Sequence, residues 1–284
     1  MNLTSPSQVK AWCIENGFHP SRALGQNFLI DRNVLEAIVA AARVGEGHRV
    51  LEIGPGLGVL TEALLHAGAS VTAIEKDARL AARLTETLAC PALRVVAADA
   101  LEVPLDGLFA PPFDCCVSNL PYSVGTRILL DIARHPSAPR SLTVLVQTEV
   151  AARFAAQAGD AERGQAGVWL QLDYDVTVVR AVKASCFWPR PEVGSALVRL
   201  DRRPCPLSAV ERRVFESLTR HAFMHRRKQM RAVLRKVPAP IGQDDEELAR
   251  IFGAVGIDAH DRPEMLSNAQ WAALTVELAQ RSQA

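Results

Sequence analysis

Between residues 31 and 150 this chain alternates short, almost unbroken apolar runs with stretches of helical periodicity, and that alternation leaves few folds open. Arg49–Ile53, Ser70–Ile74, Leu93–Ala97, Phe113–Ser118 and Leu142–Gln147 read as strands, with helices expected near 59–67, 78–89 and 124–134. An earlier helix is expected where Asp31 stands as a cap before Val34-Leu35 and Ile38-Val39. Strands that are apolar on both sides must be covered on both faces, so the sequence predicts an α/β fold around a mostly parallel sheet. Two further β-rich runs, Val176–Val182 and Ala196–Leu200, have no clear helix between them and are expected to pair antiparallel at one edge. Past the turn-rich Arg202–Ser208 the pattern is only helical, at Val210–Arg235, Asp244–Phe252 and Asn268–Arg281. These features predict an α/β domain over 1–203, with an N-terminal helical extension, and a small all-helical domain over 204–284.

Composition narrows the setting. Hydrophobic residues make up 49% and charged residues 22% of the chain, as in globular proteins that fold in water. No apolar stretch reaches the roughly 18 to 20 residues that span a bilayer, and the Met1–Pro6 start lacks a secretory pattern. Six cysteines show no C-x-x-C pair and no finger-like histidine partners, so reduced thiols, mostly core filler, and a cytoplasmic location are expected. Cys115 and Cys116 are adjacent on a strand and should point to opposite faces.

Glu52-Ile53-Gly54-Pro55-Gly56-Leu57-Gly58 sits between the first strand of the alternation and its helix. Its glycines let the backbone turn sharply and approach a ligand closely. A dinucleotide fingerprint would need a third glycine where Val59 stands, which argues against an oxidoreductase. Glu75 ends the second strand, where a carboxylate can accept both ribose hydroxyls, and Asp99 ends the third, where one can accept an adenine amine. Each also reads as a helix cap or a solvated strand end. Together, three sites at consecutive strand ends surround one crevice suited to an adenosine without a pyrophosphate, namely S-adenosylmethionine.

The fourth strand closes on Asn119-Leu120-Pro121-Tyr122. An exocyclic base amine is a poor nucleophile because its lone pair is delocalised into the ring. The Asn119 side-chain oxygen and a neighbouring backbone carbonyl can accept its two N–H bonds and localise that pair. Pro121 fixes the turn, and Tyr122 offers an exposed ring for a flipped-out base. The same four residues also read as an ordinary strand-ending turn.

Leu24–Leu29, the Glu52–Gly58 loop, Glu75, Asp99-Ala100, Asn119–Tyr122, Val146–Ala151 with Arg153, and Phe187-Trp188-Pro189-Arg190-Pro191 follow one another in a familiar order. In this the chain resembles the ribosomal RNA adenine dimethyltransferases, most closely their bacterial small-subunit branch, over roughly residues 20 to 200. The resemblance implies a Rossmann-like class I methyltransferase sheet. It implies that Asn27 and Leu29 hold the methionine end of the cofactor, that Gly54 lies against it, that Glu75 and Asp99 bind ribose and adenine, and that Asn119 touches both cofactor and base. Tyr122 and Phe187 would sandwich the target adenine. The implied substrate is a pair of adjacent adenosines in the hairpin loop near the 3′ end of 16S rRNA, dimethylated during small-subunit assembly by a monomer. One departure is Gly194, where the family usually carries Asp.

Net charge is only +1, yet no acidic residue falls between Ser217 and Gln243. On a helical wheel Arg220, Arg227, Lys228, Arg231 and Arg235 fall within about a third of the circumference, opposite Phe215, Leu218, Ala222, Met230, Val233 and Val237. One continuous helix would then present a positive stripe to an RNA backbone. His221 and His225, four apart with no carboxylate within a turn, are read as packing or RNA-facing residues, so no metal site is expected. Two alternatives stay open on sequence: a large-subunit (23S) adenine methyltransferase of the antibiotic-resistance type, and a non-catalytic ribosome-assembly factor that keeps only the fold.

Overall fold

The apolar runs assemble into a single seven-stranded sheet in the computed structural model of the chain, which describes residues 1–236 and 245–281. The first of two units, residues 1–151 with 175–202, begins with α1 (Pro6–Glu15), β1 (Phe28–Leu29), α2 (Arg32–Ala42), β2 (Arg49–Ile53) and α3 (Val59–His66). It continues through β3 (Ser70–Glu75), α4 (Ala78–Thr87), β4 (Leu93–Ala97), α5 (Leu105–Leu108), β5 (Cys115–Asn119), α6 (Gly125–Arg134) and β6 (Ser141–Gln147). After α7 (Thr148–Ala155) and α8 (Gln165–Asp173) come β7 (Tyr174–Val182), β8 (Phe187–Trp188) and β9 (Ser195–Arg202).

Sheet order is β4-β3-β2-β5-β6-β9-β7. β2 through β6 pair in parallel, and β9 runs antiparallel to β6 from Ser141↔Asp201 to Gln147↔Ser195. The two late β-rich runs are therefore neighbours at the edge. Cys115 and Cys116, on opposite faces of β5, are 3% and 0% exposed, so both faces are covered. Burial pushes the Cys115 thiol up to about 12. All six cysteines are free. The Asp31 cap forms, its carboxylate accepting Val34 N–H at 3.0 Å. From β2 the chain winds out to β3 and β4, then returns to β5 on the other side, so a crevice opens at the carboxyl ends of β2 and β5. The separate β1–β8 pair, Phe28↔Trp188 and Leu29↔Phe187, was not foreseen, because two-residue strands carry no periodic signal.

The second unit gathers residues 152–174 with the chain from Arg203 onward. Its helices are α9 (Ala209–Met224), α10 (Met230–Leu234), α11 (Asp245–Val255) and α12 (Asn268–Arg281), besides α8 and the end of α7. The expected boundary at 203/204 stands one residue from the crossing at 202/203, and the sequence carries no expectation of the 152–174 excursion. Polar bonds that no periodicity announces attach that excursion. Arg163, 1% exposed, donates to the carbonyls of Leu266 at 3.1 Å and Ala156 at 2.8 Å and to Asn268 Oδ1 at 2.7 Å. Trp169 Nε1 donates to Thr219 Oγ1 at 2.8 Å, and Arg212 holds Asp173 with both terminal nitrogens. α9 starts at a full capping box, Ser208 with Glu211.

The expected single helix over 210–235 is two. α9 stops at Met224, His225 to Gln229 form a turn, and α10 restarts with its first amides donating to the carbonyls of Asp261 and Ala259. Those bonds, and the burial of Met230, Val233 and Leu234, hold α10 in place as a separate helix. Val237 and Asp244 lie outside the described residues.

Candidate active site

All six residues expected at the cofactor, Asn27, Leu29, Gly54, Glu75, Asp99 and Asn119, line one cleft in the first unit. The cleft encloses about 1140 Å³, its open mouth included. Gly54, Gly56 and Gly58 have φ of 65°, 59° and 93°, the left-handed region that explains their alternate spacing. A side chain at Gly56 would also press on the Phe28 ring at 3.1 Å.

Each carboxylate is oriented by donors of its own. Glu75 accepts Gly56 N–H at 3.0 Å and Asp77 N–H at 2.9 Å, so it fixes the glycine loop as well as facing the cleft. Burial raises its carboxyl above the usual range, against those backbone bonds. Asp99 accepts Lys76 Nζ at 2.6 Å and Leu101 N–H at 3.0 Å, and the lysine holds its carboxyl down. A carboxylate has roughly four acceptor positions, so both retain lone pairs for a ligand.

Glu52, which the sequence presents only as part of the glycine motif, is 1% exposed and lines the cleft. It accepts the Thr61 hydroxyl at 2.7 Å, and burial pushes its carboxyl up to about 8. Its position two residues before Gly54 was the available signal. Lys76 and Thr61 gave none, since each acts by tertiary placement.

Asn119 ends β5 with a divided side chain. Its Nδ2 donates to the Asn27 carbonyl at 3.0 Å, whereas its Oδ1 is buried with no hydrogen-bond partner. The Nδ2 bond fixes which way the amide points. A buried acceptor without a donor is rare and costs about 1 to 3 kcal/mol. An unpartnered oxygen on a cleft wall can accept an N–H from a ligand. Pro121, Ser123 and Val124 also line the cleft.

Leu120, Tyr122 and Phe187 do not line it. Tyr122 is half-buried, not exposed as expected, and its hydroxyl meets Ser195 Oγ at 2.5 Å. That bond to β9 was invisible in sequence. Phe187 is 2% exposed within the cluster of Leu29, Val34, Ile38, Val117, Val182 and Leu197, so its ring is core here and closed to a base. Gly194 O accepts Thr148 N–H, and a Cβ at Gly194 would stand 3.3 Å from Thr148 Oγ1. Glycine therefore suits a tight approach of that loop to α7.

In the second unit the five expected RNA contacts do not form one stripe. Arg220 lies over the Trp169 ring at 5.6 Å. Arg227 and Lys228 are exposed in the turn between α9 and α10. Arg231 pairs with Asp245 at 2.7 Å, and Arg235 pairs with the same carboxylate. Among the described residues no cluster of three or more His, Cys, Asp or Glu is placed to hold a metal, and no helix is long and apolar enough to cross a membrane.

The family model described as ribosomal RNA adenine dimethylase matches residues 17–280. The chain is 39% identical to the Ribosomal RNA small subunit methyltransferase A of Opitutus terrae, over 97% of this chain and 99% of that one. It is 36% identical to the protein of the same name from Geobacillus thermodenitrificans, over 96% of each. A dimethyladenosine transferase structure from Plasmodium falciparum shares the fold with a TM-score of 0.76 at 23% identity, covering 88% of this chain and 97% of that one. The 23S rRNA methyltransferase ErmE aligns with a TM-score of 0.68 at 28% identity, over 89% and 99%. The sheet order, the strand-end cleft and the match over 17–280 agree, and the chain belongs to the ribosomal RNA adenine dimethylase family as an enzyme of that class.

Proposed function

We propose that the chain uses S-adenosylmethionine to dimethylate N6 of two adjacent adenosines in the hairpin loop near the 3′ end of 16S rRNA. It would act in the cytoplasm, as a monomer, on the small subunit during its assembly. The observation that carries this reading is Asn119, with one end of its amide held by the Asn27 carbonyl and the other end unpartnered at the cleft wall.

The cofactor supplies a methyl already activated on a sulfonium, so the chain's task is positioning and electrostatics. Glu75 and Asp99 would take the ribose hydroxyls and the adenine amine with the lone pairs their present donors leave free. Asn27, Leu29 and Gly54 would bound the methionine end. Asn119 Oδ1 would accept one N–H of the target amine and the Leu120 carbonyl the other, which localises the nitrogen lone pair toward the methyl. The extra proton on the methylated nitrogen is acidic and passes to solvent, so no strong base is needed beside Asn119. Tyr122 would stack on the extruded base, its ring set by the Ser195 bond. Phe187 would become the second face only by turning out of its cluster.

Arg227 and Lys228 would meet the RNA backbone first, being exposed and clear of the Asp245 pairing. The 39% and 36% relatives favour the small-subunit substrate over the 23S reading, through what their names say of them. The partnerless Asn119 oxygen favours an enzyme over a non-catalytic factor. Mapping dimethyladenosine in rRNA from cells with and without the gene tests the substrate. Loss confined to two adjacent 16S adenosines supports the reading; loss in 23S rRNA, or no loss, overturns it.

A further inference from the structure

Residues 1–18 are joined to the cleft by side chains to which neither the family match, which starts at residue 17, nor the sequence motifs give a role. Leu3 lines the cleft, and it belongs to a hydrophobic cluster with Val9, Cys13, Phe18, Phe28, Leu57 and Leu80, distinct from the main core. Leu57 is in the glycine loop. Two arginines of α4 clasp the segment. Arg79 donates to the carbonyls of Asn16 at 2.6 Å and Gly17 at 3.2 Å, with its guanidinium 5.4 Å from the Phe18 ring centre. Arg83 lies 4.9 Å from the Trp12 ring centre, and its Nη1 donates to the Leu57 carbonyl at 3.4 Å. One guanidinium thus touches both the strap and the cofactor loop. Among the described residues, the Arg79 bonds are the hydrogen bonds that tie residues 1–18 to the body, and the chain turns through left-handed glycines at Gly17 and Gly25 on either side of the connection.

We propose that residues 1–18 are a docking strap that forms part of the cofactor site, with Leu3 as a cofactor-contacting residue and Trp12–Arg83 as the positioning contact that keeps it there. This rests on the reading of the cleft as the S-adenosylmethionine site. A segment held by one apolar cluster, two cation–π contacts and the two Arg79 hydrogen bonds opens at a lower free energy than the sheet beneath it. A ligand that adds contact area under Leu3 must then stabilise the docked strap, and the docked strap must slow the ligand's escape by the same coupling.

The test uses the full-length chain with S-adenosylhomocysteine as probe. Hydrogen exchange of the α1 amides should slow about tenfold or more on binding, at a coupling of roughly the size of ordinary allosteric effects. Leu3→Ala and Trp12→Ala should raise Kd about five- to thirtyfold, carried by faster dissociation, with the melting temperature of the ligand-free chain nearly unchanged. Trp12→Phe should restore most of the affinity, because the ring face is what Arg83 meets. Unchanged α1 exchange on binding, with wild-type dissociation in both alanine variants, overturns the strap. A wild-type chain that fails to bind the probe overturns the cofactor reading instead.

Discussion

The cleft of the first unit and the cationic surface of the second are built on opposite principles. At the cleft Glu75, Asp99 and Asn119 stand at or just past strand ends and each is held by bonds of its own: Glu75 by Gly56 and Asp77, Asp99 by Lys76, Asn119 by the Asn27 carbonyl. On the cationic surface, Arg231 and Arg235 are held by one acid of their own chain, while Arg227 and Lys228 stand free of it in a turn. The difference is one of preorganisation. A buried site over a rigid sheet can keep an acceptor empty, whereas a solvated surface satisfies its charges with whatever lies near.

The contrast should break most visibly at Arg163, which joins 152–174 to the second unit. Arg163→Met takes the donors from the Leu266 carbonyl and Asn268 Oδ1 and one of two donors from the Ala156 carbonyl, and should cost about 3 to 5 kcal/mol in urea unfolding. S-adenosylhomocysteine affinity of the chain that remains folded should be unchanged. Lost affinity at intact folding would mean the two regions are not separable.

Burial raises the Glu52 carboxyl to about 8, above its unfolded value of about 4.3. The folded chain then holds a proton that the unfolded chain has released across that window. Stability should therefore fall as pH rises from about 4.5 to about 8, by up to about 5 kcal/mol, and level off above that. Glu52→Gln should flatten the decline. Melting curves of ligand-free wild type and variant with parallel pH profiles would remove Glu52 from this role.

Glu75→Ala should weaken S-adenosylmethionine binding by about 1.5 to 3 kcal/mol, since it removes a charged acceptor and releases the Gly56 amide. Calorimetry showing wild-type affinity would take Glu75 out of the site. The smallest effects belong to the surface. Arg227→Gln with Lys228→Gln should lower the salt dependence of binding to small-subunit particles by up to about 0.9 per lost contact, a duplex value used as an upper guide. Arg231→Gln with Arg235→Gln should lower it less, because Asp245 already neutralises them. Equal slopes for the two pairs would restore the single stripe.

How much could be read in advance follows the same division. β2 to β6 and the strand-end positions of Gly54, Glu75, Asp99 and Asn119 were legible, because buried parallel strands are written as contiguous apolar runs and their ends are marked by the next glycine, acid or amide, whereas Asn27 and Leu29 were reached only through the family resemblance. Tyr122 was expected to be exposed and is half-buried, and neither its hydroxyl bond to Ser195, 73 residues away, nor the two-residue strand that buries Phe187 leaves a local trace. The positive stripe failed for a related reason. Periodicity over 210–235 suits one helix or two, and the amide bonds to Asp261 and Ala259 that decide between them lie outside the segment.

In the proposed mechanism the unpartnered Asn119 oxygen is the acceptor for the target amine. Single-turnover methylation of small-subunit particles by Asn119→Ala, with cofactor affinity and folding measured on the same preparation, tests it most directly. The account predicts a folded variant that still binds S-adenosylmethionine and methylates about 10² or more times slower, the scale for losing one transition-state-oriented polar group. A rate within a few-fold of wild type would show that the residues closing β5 are only a turn.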